Sequence, residues 1–276
     1  MFAEPVSSAL AAQIELCDVA AWQDMYAAAP PDFSRRFQLE LLRVGPAVLT
    51  RCPALPFVHF NCVMNLGFAQ PATEELLDQI LAVYHQAGVR HFSFYHIPHA
   101  QPAALPAWFK ARKLQRQGGW DRIYRDGRAL SEHARTPQQG VVVEKVTRAT
   151  AAEWAGYIDT CYGLPTTPWL VALVERPGWH HYLLRQGAEI IAVRTMYASG
   201  GKAWFGIDAP VPGVMAPSYD LDVQLCHAMV KDGLELGVQL FVADIEAPDV
   251  AMATPAYHHF ETLGFKRPYF RSHYGY

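Results

Sequence analysis

The 276-residue chain is 51% hydrophobic and nearly balanced in charge, with 23 Lys and Arg against 26 Asp and Glu. That suffices for one large packed domain or two of ordinary size, and it excludes the basic face that a nucleic-acid binder needs. Cys17, Cys52, Cys62, Cys161 and Cys226 are scattered without a CxxC pair, so neither a disulfide framework nor a structural zinc site is expected.

The first residues, MFAEPVSSALAAQ, carry no basic leader, and no apolar run reaches the ~20 residues of a membrane helix. A reducing cytoplasm is therefore the expected compartment, with no membrane partner. A helix is expected around Ala20 to Ala28, then strands Val44 to Arg51 and Phe57 to Leu66, with Pro53 and Pro56 between them. After GFAQPATEE comes LLDQILAVYHQAGVRHFSFYHI, from Leu76. This reads as an amphipathic helix stopped by glycine, then a strand from Val89 to Ile97. A helix containing Ala107 to Arg112 and the aromatic strand WDRIYR, from Trp120, close the first half. Lys110, Arg112, Lys113 and Arg116 make a small basic group there, either a solvated helix face or a contact for an acidic group.

The turn-rich stretch DGRALSEHARTPQQG, Asp126 to Gly140, marks a junction. Beyond it the pattern repeats. A helix is expected at Ala151 to Tyr162, then a meander of strands His181 to Gln186, Glu189 to Ala198 and Lys202 to Ile207, turning at SGGK. VQLCHAMVKDGLELGVQLFVADIE, from Val223, is again helix, glycine stop and strand. A helix over Pro255 to Leu263 and the aromatic strand PYFRSHY follow. Two copies of one α/β fold with mixed sheets are expected, over 1–130 and 141–276.

The segment TPAYHHFETLGFKRPYFRSHY, from Thr254, resembles the last conserved segment of the GNAT acyltransferase superfamily, a helix ending in Leu-Gly-Phe followed by a strand. The order of elements from about Val141 to Tyr276 resembles the superfamily throughout, and the first half resembles a diverged second copy, with FNCVMNLGFA at its core strand. The resemblance implies two tandem GNAT-like folds. It also implies an acyltransferase that moves an acyl group from acetyl-CoA, another acyl-CoA or a phosphopantetheine carrier protein to the amine of a small molecule. The pantetheine arm would pair with the strand backbone at Ile207, Ala209 and Val211. The pyrophosphate would rest on helix amides near Tyr219, Asp222 and Gln224, where unpaired N–H groups and the helix dipole favour an anion.

The stretch GIDAPVPGVMAPSYDLDVQL departs from the superfamily's phosphate loop. Alignment on the following helix puts Tyr219 at the basic position and Asp222 at the first glycine. A like charge at contact range costs about 1 kcal/mol even at water-like dielectric. Ser218 or Asp220 also reads as a helix cap, and a cap occupies the same amides as an anion. A carrier-borne donor asks less of this loop than free coenzyme A. Two further readings stay open: a biosynthetic enzyme that does not use coenzyme A, and a non-catalytic member that binds a metabolite or partner.

For chemistry, Asp208 and Glu246 stand at the inner ends of the two strands that the resemblance says should splay, with Asp244 on the face of Glu246. They are candidate bases for the amine. The superfamily's tyrosine acid falls on Phe260, which has no proton to give. Tyr257, on a nearby helical face, and Tyr269 are candidate substitutes, although tyrosines in such positions are mostly packing residues with a hydrogen bond. His259 stands where the superfamily often has an Asn at the coenzyme. No metal is expected: the pairs His180–His181 and His258–His259 lack a third ligand. The first half has no phosphate loop and reads as structural, or as one wall of a shared cleft.

Overall fold

The computed structural model describes residues 4–55, 57–131, 140–209, 219–246 and 255–276. These hold, in chain order, helix α1 (Ser8–Ala27), α2 (Pro31–Phe37), strands β1 (Glu40–Val44), β2 (Ala47–Arg51) and β3 (Cys62–Met64), α3 (Glu74–Gln86), β4 (Ser93–His96), α4 (Leu105–Ala111) and β5 (Gln115–Asp126). Then come β6 (Val141–Lys145), α5 (Ala151–Tyr162), α6 (Thr167–Val171), β7 (Trp179–Gln186), β8 (Glu189–Ser199), β9 (Lys202–Ala209), α7 (Tyr219–Glu235), β10 (Leu240–Glu246), α8 (Pro255–Thr262) and β11 (Lys266–Gly275). The mixed α/β architecture is the expected one. Locally, the expected strand Val44 to Arg51 is instead the turn and second strand of a hairpin. Gly45, at φ +56°, and Pro46 reverse the chain, and β1 pairs antiparallel with β2 from Glu40↔Arg51 to Val44↔Ala47. Of the expected strand Phe57 to Leu66 only Cys62–Met64 is extended, and Val58–Phe60 is a 3-10 turn.

The chain forms two compact units. The N-terminal unit is built mainly from Glu4–Arg122 and also takes Glu246–Met252 and Pro268–Tyr276; the C-terminal unit is built from Ile123–Ile245 with Ala253–Arg267. The last strand thus belongs with the first half of the sequence, and not with the second half expected to hold it.

In the N-terminal unit the strand order is β1-β2-β3-β4-β11-β5, and β11 runs antiparallel to β4 with Ser272↔His96, His273↔Tyr95 and Tyr274↔Phe94. One sheet face carries α3, whose Leu77, Ile80, Leu81 and Tyr84 form an apolar stripe at helical spacing and pack with Leu49, Val63, Phe92, Phe94 and Phe109. Thr73 caps α3, accepting from the Leu76 N–H at 3.1 Å. Helix α1 buries acids as well as apolar residues. Arg122 contacts Glu15 (Nε to Oε1, 2.9 Å) and Asp18 (Nη2 to Oδ1, 3.0 Å), Arg271 contacts the same two carboxylates, and all four side chains are at most 7% exposed.

In the C-terminal unit the order is β5-β10-β9-β8-β7-β6. Strands β6 to β9 are an antiparallel meander, and β10 joins β9 in parallel. The core under α7 collects Tyr182, Leu184, Met196, Ala203, Phe205, Leu225, Met229, Phe241, Ala243 and Ile245. Alternation therefore sends Val242 and Asp244 of β10 and Trp204 of β9 to the opposite face.

Candidate active site

Strand β9 pairs with β10 through Lys202↔Leu240, Ala203↔Phe241 and Trp204↔Val242. β9 continues to Ala209 and β10 to Glu246, and the recorded pairing stops at Trp204. The reason is a bulge. Between Val193↔Ala209 and Thr195↔Gly206, β9 carries one residue more than β8, and Ile207 takes a left-handed φ of +46°. A β-branched residue there stores strain of about 1–3 kcal/mol, a conformation that clusters at functional sites. Bulges bend a strand and end its pairing. The outcome is a parallel pair that opens at its C-terminal end and leaves backbone groups of β9 without a strand partner.

Around this mouth, Tyr162 at the end of α5 donates its hydroxyl to the Asp208 carbonyl at 2.5 Å, fixing the strand end beneath the helix. The Asp208 side chain is exposed, as is Glu246 at the end of β10, while Asp244 is half-buried and Ala209 buried. On the α7 face, Gln224 is buried, and Arg194 is buried with its guanidinium 5.6 Å from the Phe260 ring. Tyr257 is buried on α8 under the guanidinium of Arg267, at 5.2 Å, and His259 is half-buried.

The sequence candidates therefore divide. Ile207, Asp208, Ala209 and Asp244 lie together where the strands part. Tyr257 and His259 lie on α8, and Gln224 on α7. Val211 lies outside the described residues, as do Ser218 and the side chains of Tyr219, Asp220 and Asp222. Tyr269 is elsewhere: it belongs to the N-terminal unit, where its hydroxyl donates to Glu15 Oε1 at 2.9 Å. Burial, then the neighbouring Glu15 carboxylate, push that phenol well above its usual range. No group of three or more His, Cys, Asp or Glu positioned for a metal exists among the described residues.

Sequence reading missed the α5 face of this unit. Here His181 Nδ1 meets Thr195 Oγ1 at 2.9 Å, and the ring packs on Trp154 at 4.2 Å. Burial, the largest influence, holds the imidazole down to about 4. The unfolded chain takes up a proton near 6.5, the folded one only near 4, so the stabilising effect of this neutral imidazole is complete above pH 6.5 and is lost as pH falls toward 4. The limit is about 3 kcal/mol. Urea unfolding of the native chain between about pH 7 and pH 5 should show falling midpoints, and His181→Leu should remove part of that slope.

The equivalent place in the N-terminal unit is closed. Strands β3 and β4 also run parallel, through Cys62↔Ser93 and Val63↔Phe94. Here, however, the chain after β4 fills the opening: the Gln101 N–H donates to the Gly67 carbonyl at 2.8 Å, and its carbonyl accepts from the Ala72 N–H at 2.8 Å. The fit demands glycine, since a Cβ at Gly67 would lie 2.5 Å from the Gln101 oxygen. Of the basic group noted in the sequence, Arg112 is tied to Glu74 and Asp78.

No family model and no curated protein matches this chain. Solved structures do. A GCN5-related N-acetyltransferase from Kribbella flavida superposes with a TM-score of 0.62 at 13% identity, covering 99% of this chain and 96% of its own. One from Sphaerobacter thermophilus gives 0.58 at 14%, covering 99% and 94%. A tandem GNAT protein from the clavulanic acid biosynthesis pathway gives 0.57 at 13%, covering 93% of each chain. The chain has the GNAT fold along nearly its whole length. No helix among the described residues is long and apolar enough to cross a membrane.

Proposed function

We propose that the C-terminal unit is an N-acyltransferase that moves an acyl group from an acyl-CoA, or from phosphopantetheine on a carrier protein, to the amine of a small molecule in the cytoplasm. The observation that carries this reading is the opening of β9 from β10 at the Ile207 bulge, within a GNAT fold. Backbone groups freed there are what an amide-bearing pantetheine arm pairs with, in the manner of an added strand. Asp208 is assigned as the base for the acceptor ammonium, and Tyr257 as the proton source for the departing thiol. The freed amine nitrogen attacks the thioester carbonyl carbon, the carbon–sulfur bond breaks, and the thiolate sulfur takes a proton. Ile207, Ala209, Val211, Gln224 and His259 are assigned to the donor. The acids of the YDLD stretch, at Asp220 and Asp222, favour a carrier-borne donor over free coenzyme A. The N-terminal unit, its opening filled by Gln101, is assigned a supporting role.

Acetyl-CoA at about 100 times its dissociation constant should stabilise the protein by about 2.7 kcal/mol, seen as a rise in Tm. Phosphopantetheine-loaded carrier protein is the second arm. Asp208→Asn should lower kcat by about 10²-fold or more with donor binding unchanged. Absence of a Tm rise with either donor, at concentrations into the millimolar range, overturns the proposal.

A further inference from the structure

An indole N–H stands at the point where β9 and β10 part, and nothing described above uses it. Trp204 is the last β9 residue paired with β10. It pairs across β8 with Tyr197, which pairs in turn with Trp179, so three aromatic residues cross the sheet in one row. Its neighbours Ala203 and Phe205 belong to the core beneath α7, which places Trp204 on the α5 side. The ring does not stand up from the strand. It lies along β9 toward the mouth: a Cβ at Gly206 would be 2.1 Å from Cζ2 and Cη2 and 2.8 Å from Cε2. Glycine at 206 is what permits this. Nε1 is bonded to Cε2, so the donor sits beside Gly206, next to the Ile207 bulge.

Trp204 is 7% exposed, and its Nε1 has no hydrogen-bond partner among the described residues. Buried polar groups are paired in about nine cases of ten or more, and an exception needs an explanation. Gly206 is what lets the unpaired N–H lie here, since any side chain at 206 would displace the ring. A ligand oxygen is the partner that the position suits. Charge narrows its identity. The exposed Asp208 near the end of β9, and Asp244 on the Trp204 side of β10, draw an ammonium toward the mouth and disfavour a second carboxylate. Tyr197 and Trp179, with ring centroids 4.8 Å apart and planes inclined at 46°, continue the aromatic surface across the sheet.

We propose that Trp204 Nε1 docks a neutral carbonyl oxygen of the acceptor, so that the acceptor class is an amine bearing an amide and an aryl or bulky apolar group, not a free amino acid. This rests on the reading of the C-terminal unit as an N-acyltransferase. Trp204 is a specificity-determining residue here and takes no proton in the reaction.

The test uses the full chain with ¹⁵N-labelled indoles, the Trp204 signal being assigned by its loss in Trp204→Phe. L-phenylalaninamide, L-phenylalanine and phenethylamine are titrated with and without acetyl-CoA. The expected result is a shift of the Trp204 indole proton with phenylalaninamide alone, and affinity for it about five- to tenfold weaker in Trp204→Phe, which keeps an aromatic ring and loses the donor. An equal response to phenethylamine, a stronger response to phenylalanine, a shift produced by acetyl-CoA itself, or no shift with any amine overturns the proposal. Because the indole is read separately from the Tm rise with donor, failure of this inference and failure of the transferase reading are distinguished.

Discussion

A chain ended at Arg267 is expected to lose the N-terminal unit, although the deletion lies at the far end of the sequence. Residues Pro268–Tyr276 belong to that unit, and β11 stands between β4 and β5 in its sheet. Removal strips β4 of its pairing at Phe94, Tyr95 and His96. It also takes away Tyr269 and Phe270, 5% and 6% exposed, each worth about 1.5–3 kcal/mol of burial. Arg271 goes with them, leaving Glu15 and Asp18 with Arg122 as their one remaining cation in the cluster. A buried ion group broken in this way costs about 3–5 kcal/mol. The sum reaches the about 5–15 kcal/mol by which a typical domain is stable. The truncated chain should be insoluble or show no cooperative N-terminal transition in urea, with near-ultraviolet circular dichroism as a second readout. A peptide of residues 268–276 supplied in trans should restore part of the signal. An unchanged N-terminal transition in the truncated chain would show that β11 is not part of this unit.

This arrangement explains which features the sequence disclosed. The helix–glycine–strand units were legible because their signals are local: apolar spacing in Leu77, Ile80, Leu81 and Tyr84, and Gly88 and Gly237 at positive φ after α3 and α7. The choice of partner for the last strand is not a local property. PYFRSHY has the same β-rich character wherever it pairs, so nothing in it separates a strand of its own half from one given to the other. The hairpin at Gly45–Pro46 was missed because apolar residues run through it on both sides. At the site, Asp208 and Glu246 were legible as strand ends, but the bulge at Ile207 was not, since a β-branched residue is a poor fit to a left-handed φ. Trp204 and Gly206 carried a signal that could have been used: an aromatic residue followed two positions later by glycine in a strand suggests a ring laid flat over backbone. Tyr269 reads as a free hydroxyl from its neighbours alone, because its partner, Glu15, comes from the other end of the chain.

The ion cluster beneath α1 makes a second large effect accessible to a single substitution. Asp18 contacts both Arg122 and Arg271, and Glu15 contacts both arginines and Tyr269. Two cations face two anions, so the group is neutral as a set and unbalanced by any one deletion. Arg271→Met should destabilise by about 3–5 kcal/mol, because an uncompensated carboxylate is left in a site closed to water. The loss of its guanidinium over Tyr95, 4.3 Å from the ring centroid, adds to this. Asp18→Asn alone should be costly for the converse reason. The double variant Asp18→Asn, Arg271→Met restores charge balance, with Arg122 and Glu15 still 2.9 Å apart. It should therefore be more stable than Arg271→Met alone, with a coupling of about 0.5–3 kcal/mol in a urea double-mutant cycle. Additive losses would mean that each contact acts separately and that charge balance is not what holds α1. The expected non-additivity also bears on why α1 docks where it does: an apolar stripe on this helix could slide or rotate, whereas two carboxylates fixed against two arginines and a phenol set a single register.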